Sequence, residues 1–334
     1  MSHMADEARQ APQAVARFLE RNGAAVAALG ARLREAPPAV VVTSARGSSD
    51  HAAGYFKYLA EIALGVPVCS LGASVVSVYG AAMRLRGALA LTISQSGQSP
   101  DIVALQDAAR RGGALTVALV NAEDSPLARA AEIVLPLCAG TERSVAATKS
   151  FIVSLAAGAA IVAAWRDDAK LMAAVKDLPQ ALESAARLEW PEFADMAARA
   201  ESLYVLGRGP SLPIAAETAL KLKETCAVHA EAYSLAEVMH GPLELLGDGF
   251  PVLAYSPQDA SRPSALAALA RLRATGARVL AAEEGGLPVA RSGHPLLDPI
   301  CAIQTAYLSI ELAARRRGRD PDQPRHLNKV TQTV

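Results

Sequence analysis

The amino-acid sequence predicts an α/β protein built from two tandem, doubly wound domains, each with a parallel sheet. Three observations carry this prediction. Short apolar strands alternate with helices along the chain, a pattern that favours parallel sheets covered on both faces. A strand, a glycine-containing loop and a helix follow one another twice, at 39–64 and again at 203–227. The length of 334 residues also suits two domains of ordinary size.

The first half of the chain is predicted to begin with a helix and to continue as strands and helices in alternation. Apolar side chains at helical spacing, among them Phe18, Val26 and Leu29, indicate the first helix. The strands are short apolar runs. The predicted elements are a helix at 7–33, strands at 39–43, 66–71, 88–93, 115–120 and 133–137, and helices at 52–64, at 75–79, up to 111 and from 148 onward.

The second half repeats this plan after a charged helical connector. The predicted strands lie at 203–206, 251–255 and 278–282, and the predicted helices at 213–227, 265–275 and 299–315. We therefore divide the chain into an N-terminal helical segment at 1–34, a first domain at 35–168, the connector at 169–199, a second domain at 200–319 and a polar C-terminal arm at 320–334 that closes the active site.

Composition and charge exclude two broad classes of protein. Hydrophobic residues make up 51% of the chain, but no apolar run reaches the roughly 18 residues that a membrane-spanning helix needs, and the longest, 151–165, is interpreted as a buried helix. The formal net charge of zero gives no basic field for nucleic acid. The cysteines have no CxxC spacing and are interpreted as core thiols of a cytoplasmic protein: Cys69, Cys138, Cys226 and Cys301.

A loop rich in serine and glycine follows the predicted strand at 88–93. Ser94, Gln95, Ser96 and Ser99 supply side-chain donors at the start of a helix, and Gly97 lets the backbone approach a ligand closely. A helix N-terminus has unsatisfied N–H groups and partial positive charge, which suits a phosphate monoester. The alternative is an ordinary N-cap at Ser99. Because an ordinary cap needs one hydroxyl and this loop has three, we expect a phosphate site.

A matching loop, 45–51, follows the first predicted strand and contains Ser48, Ser49 and His51. In a doubly wound sheet, the loops at the carboxyl ends of neighbouring strands converge on one crevice. We therefore expect both serine loops to face a single ligand. His51 alone indicates little, since a surface or capping histidine is the more common role.

The segment 217–242 is the second region that is rich in chemistry. Glu217, Lys221 and Glu224 are spaced at i, i+4 and i+7 and share one helix face. Such an acid–base–acid stripe is usually a solvated face with weak ion pairs. A second polar cluster follows at 228–242 and ends with His240 before Gly-Pro. On the pattern alone, a solvated face and a catalytic site both stay open.

Taken together, these segments resemble the isomerase half of glucosamine-6-phosphate synthase and other members of the sugar isomerase (SIS) domain family. The similarity extends in order over nearly the whole chain, and as a joint set the motifs are highly specific. They are 94–97 (SQSG), 140–142 (GTE) with 148–149 (TK), 219–224 (ALKLKE), 229–233 (HAEAY), 240–242 (HGP), and 322–325 (DQPR) with Lys329. The resemblance implies two flavodoxin-like SIS domains.

The resemblance also implies a role for each matching residue. Glu224 is similar to the base that moves a proton between the first two sugar carbons. His240 is similar to the histidine that opens the sugar ring and reaches the site of a neighbouring subunit, so a homodimer is implied. Lys329 resembles the tail lysine that forms an imine with the open-chain ketose, and Lys221 the helix lysine that assists it. The implied phosphate and backbone contacts are Ser49, Ser94, Gln95, Ser96, Ser99, Val145 and Asn328.

These implied roles agree with the chemistry of the side chains. A carboxylate held over two adjacent carbons can shuttle a proton between them, and histidine exchanges protons near neutral pH. A lysine becomes a nucleophile when a dry pocket or a neighbouring cation lowers its pKa. No cofactor is expected, and no metal is expected because the histidines and carboxylates do not show ligand spacing.

Two departures from the synthases decide which reaction the sequence predicts. The synthases carry an N-terminal glutaminase domain, whereas this sequence starts with the isomerase-like part, so we expect no glutamine-derived ammonia within this polypeptide. The tail sequence at 326–331 (HLNKVT) is more similar to that of the stand-alone deaminases of the same superfamily. The expected reaction is therefore the conversion of glucosamine 6-phosphate to fructose 6-phosphate and ammonia.

Three alternatives to this reaction stay open. The first is an ammonia-dependent or partner-fed synthase, which uses the same site in reverse. The second is a deaminase or deglycase for another amino-sugar phosphate. It stays open because the sequence does not locate the residues that distinguish one sugar epimer from another. The third is a phosphosugar sensor without catalysis, which is disfavoured because Glu224, His240 and Lys329 occur together.

Overall fold

The structure, a computed structural model, describes residues 2–329 and consists of helices and two parallel sheets. The first sheet has five strands in the order β2-β1-β3-β4-β5 and the second has four in the order β7-β6-β8-β9. The predicted α/β class with two doubly wound sheets is confirmed. The part of the predicted arm at 330–334 lies outside the described residues.

The first sheet and its helices come from the first half of the chain. The strands are β1 (Val41–Ser44), β2 (Val68–Ser70), β3 (Leu89–Ser94), β4 (Leu115–Val120) and β5 (Ile133–Pro136). The helices are α1 (His3–Arg9), α2 (Ala11–Glu35), α3 (Ser48–Leu64), α4 (Ser74–Ser77), α5 (Pro100–Arg111), α6 (Pro126–Ala130) and α7 (Lys149–Arg166).

The second sheet follows two connecting helices, α8 (Ala169–Ala185) and α9 (Pro191–Arg199). Its strands are β6 (Ser202–Gly207), β7 (His229–Ser234), β8 (Pro251–Tyr255) and β9 (Arg278–Ala282). Its helices are α10 (Ser211–Lys221), a π-helical turn (Leu222–Cys226), two 3₁₀ turns (Glu237–His240 and Pro242–Leu245), α11 (Arg262–Ala274) and α12 (Asp298–Arg316).

The chain forms two compact units, one around each sheet. The first-sheet unit comprises residues 13–142, 149–176 and the tail from 328, and the second-sheet unit comprises 1–12, 143–148 and 177–327. Helix α1 and the segment 143–148 therefore belong with the second sheet. Within that unit, the carboxylate of Glu7 accepts hydrogen bonds from the backbone amides of Arg143 and Ser144. The predicted domain boundaries stay a prediction.

Helix α7 is the longest apolar segment and lies in the core of the first-sheet unit. It is long and apolar enough to cross a membrane by length and composition, but 89% of it is buried inside the structure. A core helix of a folded domain gives the same result, and the predicted buried helix at 151–165 is confirmed. A Cβ atom on Gly158 of α7 would lie 3.5 Å from the side chain of Phe56, so α7 and α3 pack closely at this point.

The register of the first sheet places the ends of β1 and β3 side by side. These two strands are parallel neighbours, and Ser44 at the end of β1 pairs with Thr92, two residues before the end of β3. The loops that leave the two strands therefore start at the same sheet edge. This edge is where the sequence predicts the two serine loops.

Two local predictions in the second half were wrong. The helix predicted at 213–227 ends as α10 at Lys221 and continues as the π-helical turn. No strand was predicted within the polar cluster that follows it, but His229–Ser234 form strand β7, which pairs in parallel with β6. Because β7 is an edge strand and only Ala230 in it is fully buried, it lacks the apolar run that marks an internal strand.

The close approach of helices α2 and α7 gives a test of the first-sheet core. A Cβ atom on Gly30 would lie 2.6 Å from the backbone of Ala164, whereas one on Gly23 of the same helix would meet nothing within 4 Å. We expect Gly30→Ala to lower the free energy of unfolding by about 1–3 kcal/mol through overpacking. Gly23→Ala, the matched control, should raise it by about 0.5–1 kcal/mol. Denaturant unfolding measures both, and equal effects would contradict the described packing.

Candidate active site

The loop Ser94–Ser99 is held by its own hydroxyl groups at the end of β3. The Ser94 hydroxyl accepts a hydrogen bond from the Gly97 amide at 3.0 Å, and the Ser96 hydroxyl accepts one from the Gln98 amide at 3.3 Å. Ser99 occupies the N-cap position of α5, but its side chain makes no capping hydrogen bond. The ordinary-cap alternative is thus not realised here, and the start of α5 keeps donors for a ligand.

Gly97 is required by the shape of this loop. Its φ of +62° lies in the left-handed region, and a Cβ atom would stand 2.2 Å from the hydroxyl oxygen of Ser125 and 2.9 Å from a methyl carbon of Val120. The side chains of Ser94, Gln95 and Ser96 remain half-buried. The turn therefore brings several polar groups together at the sheet edge without burying them completely.

The second serine loop lies beside the first, at the end of β1. Gly47 precedes α3 with φ +54°, and Ser49 is half-buried in the first turn of that helix. Two helix N-termini, those of α3 and α5, thus start at neighbouring strand ends of one sheet. This geometry supports the prediction that both loops serve one anionic ligand.

An ion pair that the sequence did not predict joins these two loops. The guanidinium of Arg46 donates two hydrogen bonds to one carboxylate oxygen of Asp101, from Nε at 3.1 Å and from Nη2 at 2.7 Å. The Asp101 side chain is fully buried, whereas that of Arg46 is 51% exposed. In the sequence, this ion pair was indicated only by Arg46 as the single arginine or lysine of the loop at 45–51.

Glu217, Lys221 and Glu224 form a buried charge cluster in the second-sheet unit. The Lys221 ammonium lies 3.4 Å from a carboxylate oxygen of Glu217 and 2.5 Å from one of Glu224. Lys221 and Glu217 are almost completely buried, and the Glu224 side chain is 20% exposed. The hydroxyl of Tyr307 donates to Glu217 at 2.9 Å. The alternative of a solvated surface stripe is therefore wrong.

The two carboxylates keep Lys221 charged. Burial lowers the pKa of the ammonium, but the charges of Glu217 and Glu224 outweigh it, so the pKa of Lys221 lies above its ordinary value of 10.5. Stability from this cluster is therefore fully present below that ordinary value and is lost only as the pH rises through the folded value. Lys221 is thus a fixed cation near neutral pH, which suits an assisting role rather than that of a nucleophile.

The π-helical turn directly after Lys221 sets the direction of Glu224. Residues Leu222–Cys226 form this turn, which ends at Ala227 with φ +50° and ψ +42°. Such turns are rare and frequently occur at functional sites. Here the turn leaves Glu224 in contact with the ammonium while 20% of its side chain stays exposed. The combination of a fixed cation and a partly exposed glutamate suits a general base.

His240 lies on the surface of the second-sheet unit. It ends the 3₁₀ turn Glu237–His240, its side chain is exposed, and it makes no hydrogen bond within the part of the chain that the structure describes. The nearby side chain of Leu245 is 66% exposed. The structure therefore does not bring His240 into contact with Glu224 within one chain.

Lys329 of the tail is held by a buried carboxylate of the first-sheet unit. Its ammonium lies 3.4 Å from an oxygen of Glu142, which also accepts hydrogen bonds from the amide of Ser150 at 3.2 Å and its hydroxyl at 2.6 Å. In the sequence, Glu142 stands out only as part of the motif at 140–142, and this role was not predicted.

The two predicted backbone contacts lie in different units. Val145 belongs to the segment 143–148, whose first amides are bound by Glu7, and Asn328 precedes Lys329 in the tail. The serine loops and Lys329 are part of the first-sheet unit, and Lys221, Glu224 and His240 are part of the second-sheet unit. Among residues 2–329 no group of three or more His, Cys, Asp or Glu side chains is placed to hold a metal ion.

A family model described as SIS domain matches residues 37–164 and 196–293, which together are more than half of the chain. The chain belongs to the SIS domain family. The two matched regions contain the two sheets, so each half carries one SIS domain. The resemblance stated from the sequence motifs is confirmed.

Similar proteins are known from several bacteria. One is a protein of known structure from Silicibacter pomeroyi DSS-3 that is assigned provisionally as a phosphosugar isomerase. Its sequence is 46% identical to this chain, and the two structures superpose with a TM-score of 0.93. The alignment covers 96% of this chain and 100% of that protein. Another is the glucosamine-6-phosphate deaminase from Thermotoga maritima, which is 22% identical with a TM-score of 0.81. The alignment covers 99% of this chain and 100% of the deaminase, and at this identity the similarity shows the fold alone.

A curated relative from Zymomonas mobilis is named glutamine–fructose-6-phosphate aminotransferase (isomerizing). It is 33% identical over 312 residues, which cover 86% of this chain. The match spans 51% of the relative, so this chain corresponds to about half of the longer protein.

Proposed function

We propose that this SIS protein isomerises a phosphorylated amino sugar and converts glucosamine 6-phosphate to fructose 6-phosphate and ammonia. The observation that carries the proposal is the charge cluster of Glu217, Lys221 and Glu224, in which a fixed buried cation holds one glutamate whose side chain is partly exposed. A surface ion pair would not bury a lysine, and a sensor would not need a carboxylate placed for proton transfer. The serine loops support a phosphorylated substrate.

The reaction begins with phosphate binding and ring opening. The serine loops and the start of α5 bind the 6-phosphate through Ser49, Ser94, Gln95, Ser96 and Ser99, and this contact is equal in ground and transition states. His240 then transfers a proton to the ring oxygen while the C1 hydroxyl loses one, which gives the open-chain aldehyde.

Proton transfer between the first two carbons follows. The Glu224 carboxylate removes the proton from C2, and the electron pair forms the C1–C2 double bond as the aldehyde oxygen is protonated. Return of the proton to C1 places a C=N bond at C2. Lys221 stays protonated and holds Glu224 in place, so its role is electrostatic rather than nucleophilic.

Ammonia leaves in the last step. The Lys329 amine attacks C2 and ammonia departs, after which water hydrolyses the new imine to the ketose. The amine must first be neutral, and the buried carboxylate of Glu142 lies 3.4 Å from the ammonium, where it can take up the proton. Val145 and Asn328 supply backbone contacts to the open-chain sugar.

A second candidate reaction is supported by the curated relative. Its name describes an isomerising aminotransferase, and the steps above run backwards would fix ammonia onto fructose 6-phosphate. Galactosamine 6-phosphate and fructosyl-amino-acid phosphates are further substrates for the same chemistry. Under either reaction no cofactor is expected, and we expect the enzyme to act in the cytoplasm.

The prediction that the cysteines are core thiols holds for only part of them. Cys226 and Cys301 are buried and Cys138 is half-buried, but Cys69 is exposed and does not fit the predicted core position.

Ammonia release from amino-sugar phosphates tests the proposal. We expect glucosamine 6-phosphate to yield equal amounts of fructose 6-phosphate and ammonia. Added glutamine should have no effect on this reaction, and unphosphorylated glucosamine should react very poorly. Ser96→Ala should raise KM far more than it lowers kcat, because phosphate binding is uniform. Both products are measured by coupled assays. Product formation that depends on glutamine would favour the aminotransferase, and no reaction with any amino-sugar phosphate would contradict the proposed chemistry.

We further propose that the active protein is a homodimer in which His240 completes the site of the partner subunit. Its exposed position and the exposed Leu245 beside it support this arrangement, since symmetric dimers are the commonest soluble oligomers.

Subunit mixing tests the shared site. Glu224→Gln and His240→Ala subunits should each be inactive alone, and after unfolding and refolding together the mixed dimers should regain up to about a quarter of wild-type activity, because half of the dimers are hybrids with one intact site of two. Activity is measured after subunit exchange is verified by mass. Verified hybrids without activity would place the whole site within one chain.

A further inference from the structure

The ion pair between Arg46 and Asp101 lies where the two serine loops leave the sheet. The loops start at the ends of the neighbouring strands β1 and β3, and the pair connects the loop at 45–51, which follows β1, to the first turn of α5. Asp101 also accepts a hydrogen bond from the amide of Ile102 at 2.8 Å through its other oxygen. The carboxylate is therefore fixed on both sides, and it fixes the guanidinium in turn.

Only part of the Arg46 guanidinium is used by this pair. Nε and Nη2 donate to Asp101, whereas Nη1 makes no hydrogen bond with any described residue. The side chain is half-exposed, so the free edge of the guanidinium stays accessible. An arginine presents five N–H donors in a planar fork, and a phosphate accepts such donors in pairs.

The charges of the two serine loops show why a phosphate site at this edge needs a cation. The sequence ranges 45–51 and 94–101 contain Arg46 as their single arginine or lysine, but also Asp50 and Asp101. Burial raises the pKa of Asp50, and the charges of His51 and Arg46 oppose this rise. A phosphate dianion would meet these carboxylates with only helix dipoles and neutral donors in its favour. Ser44, at the end of β1, also has a buried hydroxyl without a hydrogen-bond partner among residues 2–329.

We propose that Arg46 is the cation that binds the substrate's phosphate group and that Asp101 is the positioning residue that orients it. This inference rests on the proposed function and adds a charged ligand to a site otherwise built from serine and glutamine. Asp101 holds Nε and Nη2, so that Nη1 points away from the pair and can donate to a phosphate oxygen. The arrangement favours the dianionic form of the phosphate, whose second pKa is about 6.

Binding of inorganic phosphate and of fructose 6-phosphate, measured by calorimetry, tests this role without turnover. We expect Arg46→Met to weaken the binding of both by about 10- to 100-fold, because a hydrogen bond to a charged group contributes about 1.5–3 kcal/mol. Arg111→Met removes another arginine, which pairs with Asp107 on the surface of α5, and should leave both affinities unchanged.

A double variant separates ligand binding from structural support. Arg46→Met removes the cation that balances the buried carboxylate of Asp101 and should lower the free energy of unfolding, whereas Arg46→Met with Asp101→Asn removes both charges and should recover stability. Phosphate affinity should stay lost in the double variant. Recovery of affinity together with stability would assign Arg46 a purely structural role and overturn the proposal.

The pH profile gives a second readout that a structural role would not change. Wild-type affinity for fructose 6-phosphate should rise between pH 5 and 7 as the phosphate becomes a dianion, and this rise should be much smaller in Arg46→Met. The same rise in both proteins would overturn the proposal. If Ser96→Ala weakens binding and Arg46→Met does not, the phosphate site stands and the role of Arg46 fails. If the wild-type protein binds neither ligand, the proposed function fails as well.

Discussion

The burial of the Lys221 ammonium is the constraint on which the second-sheet unit depends most. A lone charge in this position would cost several kcal/mol, so the protein must supply carboxylates within contact distance. Glu217 is fixed by the hydroxyl of Tyr307 on α12, and Glu224 approaches from the π-helical turn. Because one cation is shared by two carboxylates, Glu224 keeps negative charge that is not fully neutralised. A group with that residual charge and partial exposure is suited to accept a proton.

Under the proposed function, the first-sheet unit has a different task, which is to bind an anion with backbone and hydroxyl donors. Parallel strands bring the starts of α3 and α5 to one edge. Gly47 and Gly97 have the positive φ that other residues rarely adopt, and at Gly97 a side chain would also collide with Ser125. The pair of Arg46 and Asp101 connects the two loops at this edge. The tail adds a further charge in the same unit, where Lys329 meets the buried carboxylate of Glu142.

The sequence was sufficient for those features that follow from local pattern. Apolar runs alternating with helices predicted both sheets, and the loop with three hydroxyls and a glycine lies at the start of α5 as predicted, while the anion site there stays a prediction. Features that depend on contacts between distant residues could not be predicted. The burial of Lys221 depends on α12, and the pair of Lys329 with Glu142 joins residues that lie 187 positions apart. Strand β7 was missed because an edge strand needs few apolar side chains.

Exchange of substrate hydrogen with solvent tests the central claim, that Glu224 is the base held by Lys221. In D₂O, the wild-type enzyme should place deuterium on C1 of the fructose 6-phosphate formed, observed by NMR. Glu224→Gln should slow this incorporation by about two to four orders of magnitude, the usual contribution of a positioned base, whereas Glu183→Gln, an exposed glutamate on α8, should not. Incorporation at the wild-type rate in Glu224→Gln would contradict the account.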